Sequence, residues 1–205
     1  MSVKVDKTAK ERIIDAALDL FYYQGFHQTS VRQIAGKANV NQALIAYYFG
    51  NKKGLLEQLM IEFYEGYFSV FDRLAEEFAA AKMRFSCKDR LVHSFQYCFD
   101  YLFNSYRMTR FIYRELSLDS TLIREVMTIY LAKEKYYFLT ILEDGRKHGE
   151  LLKQDLEMMV LQLLNVLYMP FLQPQMIREV YHVEPHSTEF KERYLQQCKR
   201  WIESF

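Results

Sequence analysis

An all-α fold follows from three features of the sequence. Only 7 Gly and 3 Pro punctuate 205 residues, fewer breaks than a strand-and-turn protein needs. Half of the residues are hydrophobic and 16% are aromatic, ample for a buried core. Those apolar residues recur at three- and four-residue intervals, the period of a helix with one buried face.

The elements can be justified in order. A first helix is expected over 8–24, with Ile13, Ala17, Leu20 and Phe21 on one face and charges opposite. Gly25 supplies the positive-φ residue after its end. Thr29 or Ser30 offers a hydroxyl N-cap for a short second helix carrying Val31, Ile34 and Ala35, which stops near Ala38-Asn39-Val40. Asn39 tolerates the left-handed conformation of a tight turn. Asn41 caps a third helix over 42–49, which buries Leu44 or Ile45 and Tyr48 or Phe49 before Gly50-Asn51 breaks the chain. A long helix follows over 52–80, with Leu55, Leu59, Phe63, Gly66 and Val70 near one face. Helical patterns then cover 88–106, 108–116 and 120–144; in the last, Val126, Tyr130, Tyr137 and Ile141 fit the period, and Gly145 and Gly149 flank a loop. The final two helices are 154–172, strongly apolar, and 187–204, joined by the Pro-bearing segment "QPQMIREVYHVEPHS".

Composition removes several function classes. No apolar run reaches the roughly 18 residues of a membrane span. The start "MSVKVDKTAKERIID" lacks a signal-peptide core, so a cytoplasmic, nucleoid-associated protein is expected. Cys87, Cys98 and Cys198 are odd in number and lack CxxC spacing, which reads as reduced, mostly buried thiols. His182-Val-Glu-Pro-His186 is no zinc-binding helix, because Pro185 disrupts the four-residue spacing. Without a Gly-rich phosphate loop, nucleophile elbow or paired carboxylates, no catalysis, cofactor or metal is expected. Charge is informative only by position. Residues 1–55 hold eight Lys or Arg against four Asp or Glu, a net +4 inside a chain of net +1. A local basic excess is the footprint of a phosphate-binding face.

The stretch "TSVRQIAGKANVNQALIAYYFGNKKG" lies in that basic quarter. Two short helices joined by a three-residue turn make a helix-turn-helix, whose second helix can enter the major groove. Ala43 and Ala46 allow close approach, Gln42 can pair with an adenine edge, and Tyr47 and Tyr48 offer hydroxyls to phosphates. Lys52 adds charge beside free backbone N–H groups. An ordinary helical hairpin with an aromatic core cluster is the plainer alternative.

The segment "GFHQTSVRQIAGKANVNQALIAYYFGNKKGLLEQL" resembles the DNA-binding domain of TetR-family regulators. It departs from that pattern where Asn39 replaces the usual turn Gly and where Leu44 and Ala46 stand at commonly polar positions. The resemblance implies a DNA-binding domain over 1–51 and a helical dimerisation and regulatory domain over 52–205. It also implies phosphate contacts from Thr29, Tyr47, Tyr48 and Lys52, and base or groove contacts from Arg32, Gln42, Ala43 and Leu44. For Thr29 a pure capping role, and for Tyr48 core packing, stay open. The last two helices are expected to pair with a twin's through Leu156, Val160, Leu163, Leu167, Tyr194, Cys198 and Trp201, making a homodimer on a palindromic double-stranded site. A small-molecule effector among Tyr97, Phe99, Tyr101, Phe103, Tyr106 and Met127 would make the protein a ligand-released repressor.

Arg107, Arg110 and Arg114 recur at i, i+3 and i+7 with Glu115 adjacent. They read as a solvated face with intrahelical ion pairs, or as a docking edge for an acidic protein. The segments "EFYEGYF" and "YRELSLDSTLIREVMTIYLAKEKYYF" look like those of a TetR-family branch in spore-forming bacteria. That resemblance implies inhibition of the tubulin-like division protein FtsZ, with the arginine edge as the contact.

Overall fold

Short polar side chains decide where the helices begin. The computed structural model describes residues 8–81, 85–117, 121–151 and 154–205, with the side chains of 116–127 outside the description. Met127 and Val126 fall among those side chains, and Lys4 and Lys7 precede the first described residue. Every element is helical: α1 Ala9–Gln24, α2 Val31–Ala38, α3 Gln42–Phe49, α4 Lys52–Ala80, α5 Cys87–Asn104, α6 Tyr106–Ser117, α7 Thr121–Lys147, α8 Leu156–Leu172, α9 Pro174–Tyr181 and α10 Thr188–Glu203. Thr8 with Glu11, Ser30 with Gln33 and Ser86 with Asp89 form reciprocal capping boxes at α1, α2 and α5. Asn41, Asn51, Asp155 and Ser187 cap α3, α4, α8 and α10 through their side-chain oxygens. Each such cap contributes about 1 kcal/mol.

Two expectations change. Gly145 does not flank a loop; it is buried inside α7, where a Cβ would lie 2.5 Å from the Cβ and Sγ of Cys87. Only a residue without a side chain lets α7 pass this close to the start of α5. The connection before α10 contains a helix of its own, α9, opened by Pro174, whose fixed φ suits the first helical position.

α1, α2 and α3 close around Ile13, Phe21, Phe26, Ile34 and Ile45, and the first turns of α4 add Leu55 and Leu56. Beyond that point α4 runs into the body, where Phe95, Phe99, Phe111, Phe138 and Phe171 are fully buried. α6 packs on α1, α5, α7 and α8. It therefore joins head to body.

The body core also holds Glu134 of α7, which accepts hydrogen bonds from the hydroxyls of Tyr67 on α4 and Tyr168 on α8. Burial pushes its carboxyl up from 4.5 to about 7, against those two hydrogen bonds. The folded chain thus keeps a proton that the unfolded chain releases near 4.5. The stability tied to this proton is complete below that value and disappears as pH rises through about 7. Between about pH 5 and pH 8.5 the protein is expected to lose roughly 2–3 kcal/mol of unfolding free energy that Glu134→Gln does not lose, read by denaturant titration at both pH values.

Candidate nucleic-acid interface

Ile45 is the anchor of α3. It is fully buried, and its neighbours Leu44 and Phe49 are half-buried, so the opposite face is left to solvent. That face carries Gln42, Ala43, Ala46 and Tyr47, with Tyr47 80% exposed. Tyr48 is 41% exposed, so it does not fill the core as one sequence alternative had it. Arg32, Gln33 and Lys37 are exposed on α2 beside them. Asn39 turns the chain between the two helices in the left-handed region (φ 52°, ψ 53°), its N–H reaching the carbonyls of Ala35 and Gly36. Arg12 Nε donates to Ala38 O at 3.2 Å and fixes the end of α2 to α1. The start of α4 presses so closely on α3 that a Cβ at Gly54 would meet Phe49 O at 2.2 Å.

Thr29 and Lys52 both make hydrogen bonds within the chain. Ser30, not Thr29, caps α2. Thr29 is buried, and its Oγ1 donates to Gly25 O at 2.8 Å while accepting from Gln24 Nε2 at 3.1 Å. Its hydroxyl closes the α1–α2 loop. Lys52 Nζ donates to Phe26 O at 2.9 Å and Thr29 O at 2.7 Å and sits 4.3 Å from the centre of the Phe26 ring. Partial burial lowers its pKa. Its neighbour Lys53 has a side chain that is 56% exposed and 3.7 Å from Glu57. Two adjacent lysines are equivalent in a sequence. The pair of carbonyls that captures one of them is created by the fold.

The arginine edge likewise makes contacts inside the chain. Arg114 donates to Phe21 O at 2.7 Å and Tyr22 O at 2.9 Å, at the carboxyl end of α1. Arg110 donates to Phe171 O and Leu172 O, at the carboxyl end of α8. Arg107 pairs with Asp19 of α1, whose other oxygen holds Lys37 of α2 at 3.1 Å. Glu115 is buried, 3.7 Å from Arg114.

The proposed dimer contacts also need correction. Leu156, Val160, Leu163, Leu167 and Cys198 are buried in the chain's own core, because the core takes the more apolar face of each helix. Tyr194 is half-buried and donates to Val166 O at 2.6 Å, and Trp201 packs edge-on against Phe205. The apolar residues left outside are Met158, Leu161 and Leu172 on α8 and Met176, Val180 and Tyr181 on α9.

The aromatics expected around an effector do not share one cavity. Phe99 is wholly buried, Tyr97 faces solvent, and Phe103 lies under Lys191 and His186. Tyr101 and Tyr106 alone among them line the cleft of about 630 Å³ between α1, α4 and the α5–α6 junction.

With this geometry in place, comparison with known proteins is informative. Residues 13–59 match the model of bacterial regulatory proteins of the tetR family. The probable HTH-type transcriptional regulator YttP of Bacillus subtilis is 44% identical over 197 residues, 96% of this chain and 93% of its own. Among solved structures, a putative fatty acid metabolism regulator of Clostridium perfringens superposes with a TM-score of 0.74 at 16% identity, covering 93% of this chain and 96% of that one. FadR of B. subtilis, in complex with stearoyl-CoA, gives 0.66 at 21%, covering 92% and 96%. A putative regulator of Saccharomonospora viridis in complex with choline gives 0.70 at 19%, covering 95% of each chain. At such identities these structures share the fold.

The two lysines make a direct contrast. Lys52→Met is expected to destabilise the head by about 1–3 kcal/mol and speed hydrogen exchange in the α1–α2 loop. Lys53→Gln should leave unfolding unchanged and lower the salt dependence of DNA binding by about one counterion, seen in binding titrations across salt.

Proposed function

Since the chain belongs to the TetR family of bacterial regulatory proteins, we propose that it works as a homodimer that grips a palindromic DNA site and releases it when a small molecule enters the body. As a member of that family it is a transcriptional regulator. The observation that carries the DNA reading is the solvent-facing side of α3, with Gln42 and Ala43 at its amino end and Ile45 locked beneath. An amide at this position can donate to and accept from one adenine edge, and flanking Ala and half-buried Leu44 suit thymine methyl groups. Tyr47, Tyr48, Arg32 and Lys53 would hold the phosphates on either side. Residues 1–51 serve as the reading head and 52–205 as the part that pairs and senses.

Dimerisation is supported by the outward stripe of Met158, Leu161 and Leu172, which continues onto α9 through Met176, Val180 and Tyr181. A two-fold pair sets two α3 helices about one or more DNA turns apart, which demands a mirrored site. The ligand-released mode is supported by two fold neighbours that hold small molecules, stearoyl-CoA in one and choline in the other. The division-regulator reading, DNA-dependent inhibition of FtsZ assembly, would draw on Arg107, Arg110 and Arg114. Their engagement with Asp19 and with two helix ends weighs against it.

Gln42→Ala tests the reading head. Its affinity for the preferred site, found by mapping bound DNA, is expected to fall by about 1–3 kcal/mol while binding to random duplex barely changes. Equal losses on both DNAs in gel-shift titrations would remove Gln42 as a base reader.

A further inference from the structure

Glu134 is a carboxylate in the middle of the body with phenols around it and, among the described residues, no cation beside it. It is 2% exposed, and hydrogen bonds from Tyr67 and Tyr168 are the only favourable polar interactions it makes among the described residues. Tyr64 and Tyr113 lie close enough for its charge to act on their hydroxyls. Tyr113 packs on Tyr168 with ring centres 4.4 Å apart, and Tyr64 stacks on Tyr130 at the same distance. The rings come from α4, α6, α7 and α8, so four helices converge on one acidic group. Packing alone would fill such a position with Leu or Phe, because an uncompensated buried carboxylate opposes folding.

Tyr101 lies between this cluster and a cleft. Its ring touches both Phe63 (5.5 Å) and Tyr67 (5.7 Å), and its hydroxyl donates to Phe63 O at 2.7 Å. It lies over Gly66, where a Cβ would meet Tyr101 Oη at 2.4 Å. On its far side is the cleft of about 630 Å³, walled by Tyr22 and Leu18 of the head, with Glu62, Arg107 and His186 among its polar lining. Tyr101 thus stands between that cleft, which it lines, and Tyr67, the hydrogen-bond partner of Glu134. Phenol oxygens gathered around one buried anion, with aromatic rings behind them, offer an onium group a counter-charge and an electron-rich surround.

We propose that Glu134 and its surrounding tyrosines are the recognition point for a cationic effector of the alkylammonium class, its tail lying in the cleft between α1 and α4. This inference rests on the ligand-released reading above and names the ligand's chemistry. The onium group takes the place of the missing counter-ion and loosens the phenol hydrogen bonds between α4, α7 and α8. The tail meets Leu18 and Tyr22 on α1, so occupancy is felt by the head. A cation beside Glu134 also stabilises its charged form, so binding below about pH 7 expels the proton that burial retains.

The test uses the full chain without DNA. Choline, tetraethylammonium and hexyltrimethylammonium are titrated by calorimetry near about pH 6.5 in two buffers of different ionisation enthalpy. At least one should bind, with a heat that differs between buffers because a proton is released. Glu134→Gln, which keeps a hydrogen-bond acceptor but loses the charge, should weaken that binding at least tenfold. The proposal is overturned if all three fail to bind, if Glu134→Gln binds equally well, or if stearoyl-CoA binds and the ammonium probes do not. A wild-type heat identical in both buffers overturns it too, even where the variant folds poorly. Operator binding is measured separately through Gln42→Ala, so failure here leaves the DNA reading standing, and failure there leaves the ammonium titration interpretable.

Discussion

The carboxyl ends of α1 and α8 are both closed by arginines from one helix, α6, and the relation of head to body depends on those two closures. A helix end leaves carbonyls without partners and carries partial negative charge. Arg114 satisfies two such carbonyls on α1, and Arg110 two on α8. A guanidinium is suited to this work because its planar set of donors reaches adjacent oxygens at once, and it stays charged when partly desolvated. Asp19 extends the link by joining Arg107 of α6 to Lys37 on α2. Any displacement of α6 is therefore transmitted to α1 and α2 through directed bonds, whereas sliding apolar contacts would absorb it.

The same constraint explains which parts of the protein could be read from residues alone. Helix starts were legible because the capping groups are local: Ser30 and Gln33, or Asn41 and the N–H of Ala43, find each other within three residues. The turn at Asn39 was legible for the same reason, since few side chains tolerate φ near 52°. Roles set by distant partners were not. Nothing in the sequence announces that Thr29 and Lys52 both bond to carbonyls of the loop at 25–29. The periodicity of 107, 110 and 114 correctly put three arginines on one edge of a helix, but a period says nothing about what faces that edge. The dimer candidates failed in an instructive way: the most apolar residues of α8 went to the chain's own core, and the outward stripe is the weaker pattern of Met158, Leu161 and Leu172.

Polar burial marks where function departs from simple packing. The head spends its buried polar groups on closure, each with a partner, and leaves α3 free to face solvent. The body places one acidic group among tyrosines, next to a cleft that α1 helps to line. A ligand-released regulator of the kind proposed needs both: a rigid face for DNA and a core whose arrangement depends on an added molecule. The arginine closures on α6 connect the two.

The most direct measurement is thermal unfolding followed by two probes, one in the head and one in the body, for the wild-type chain and for Arg114→Met. The wild type should unfold in a single transition seen identically by both probes, and Arg114→Met should split it, the head melting first while the body transition stays in place. Coincident, unshifted transitions in Arg114→Met would contradict the claim that α6 binds head to body through the end of α1.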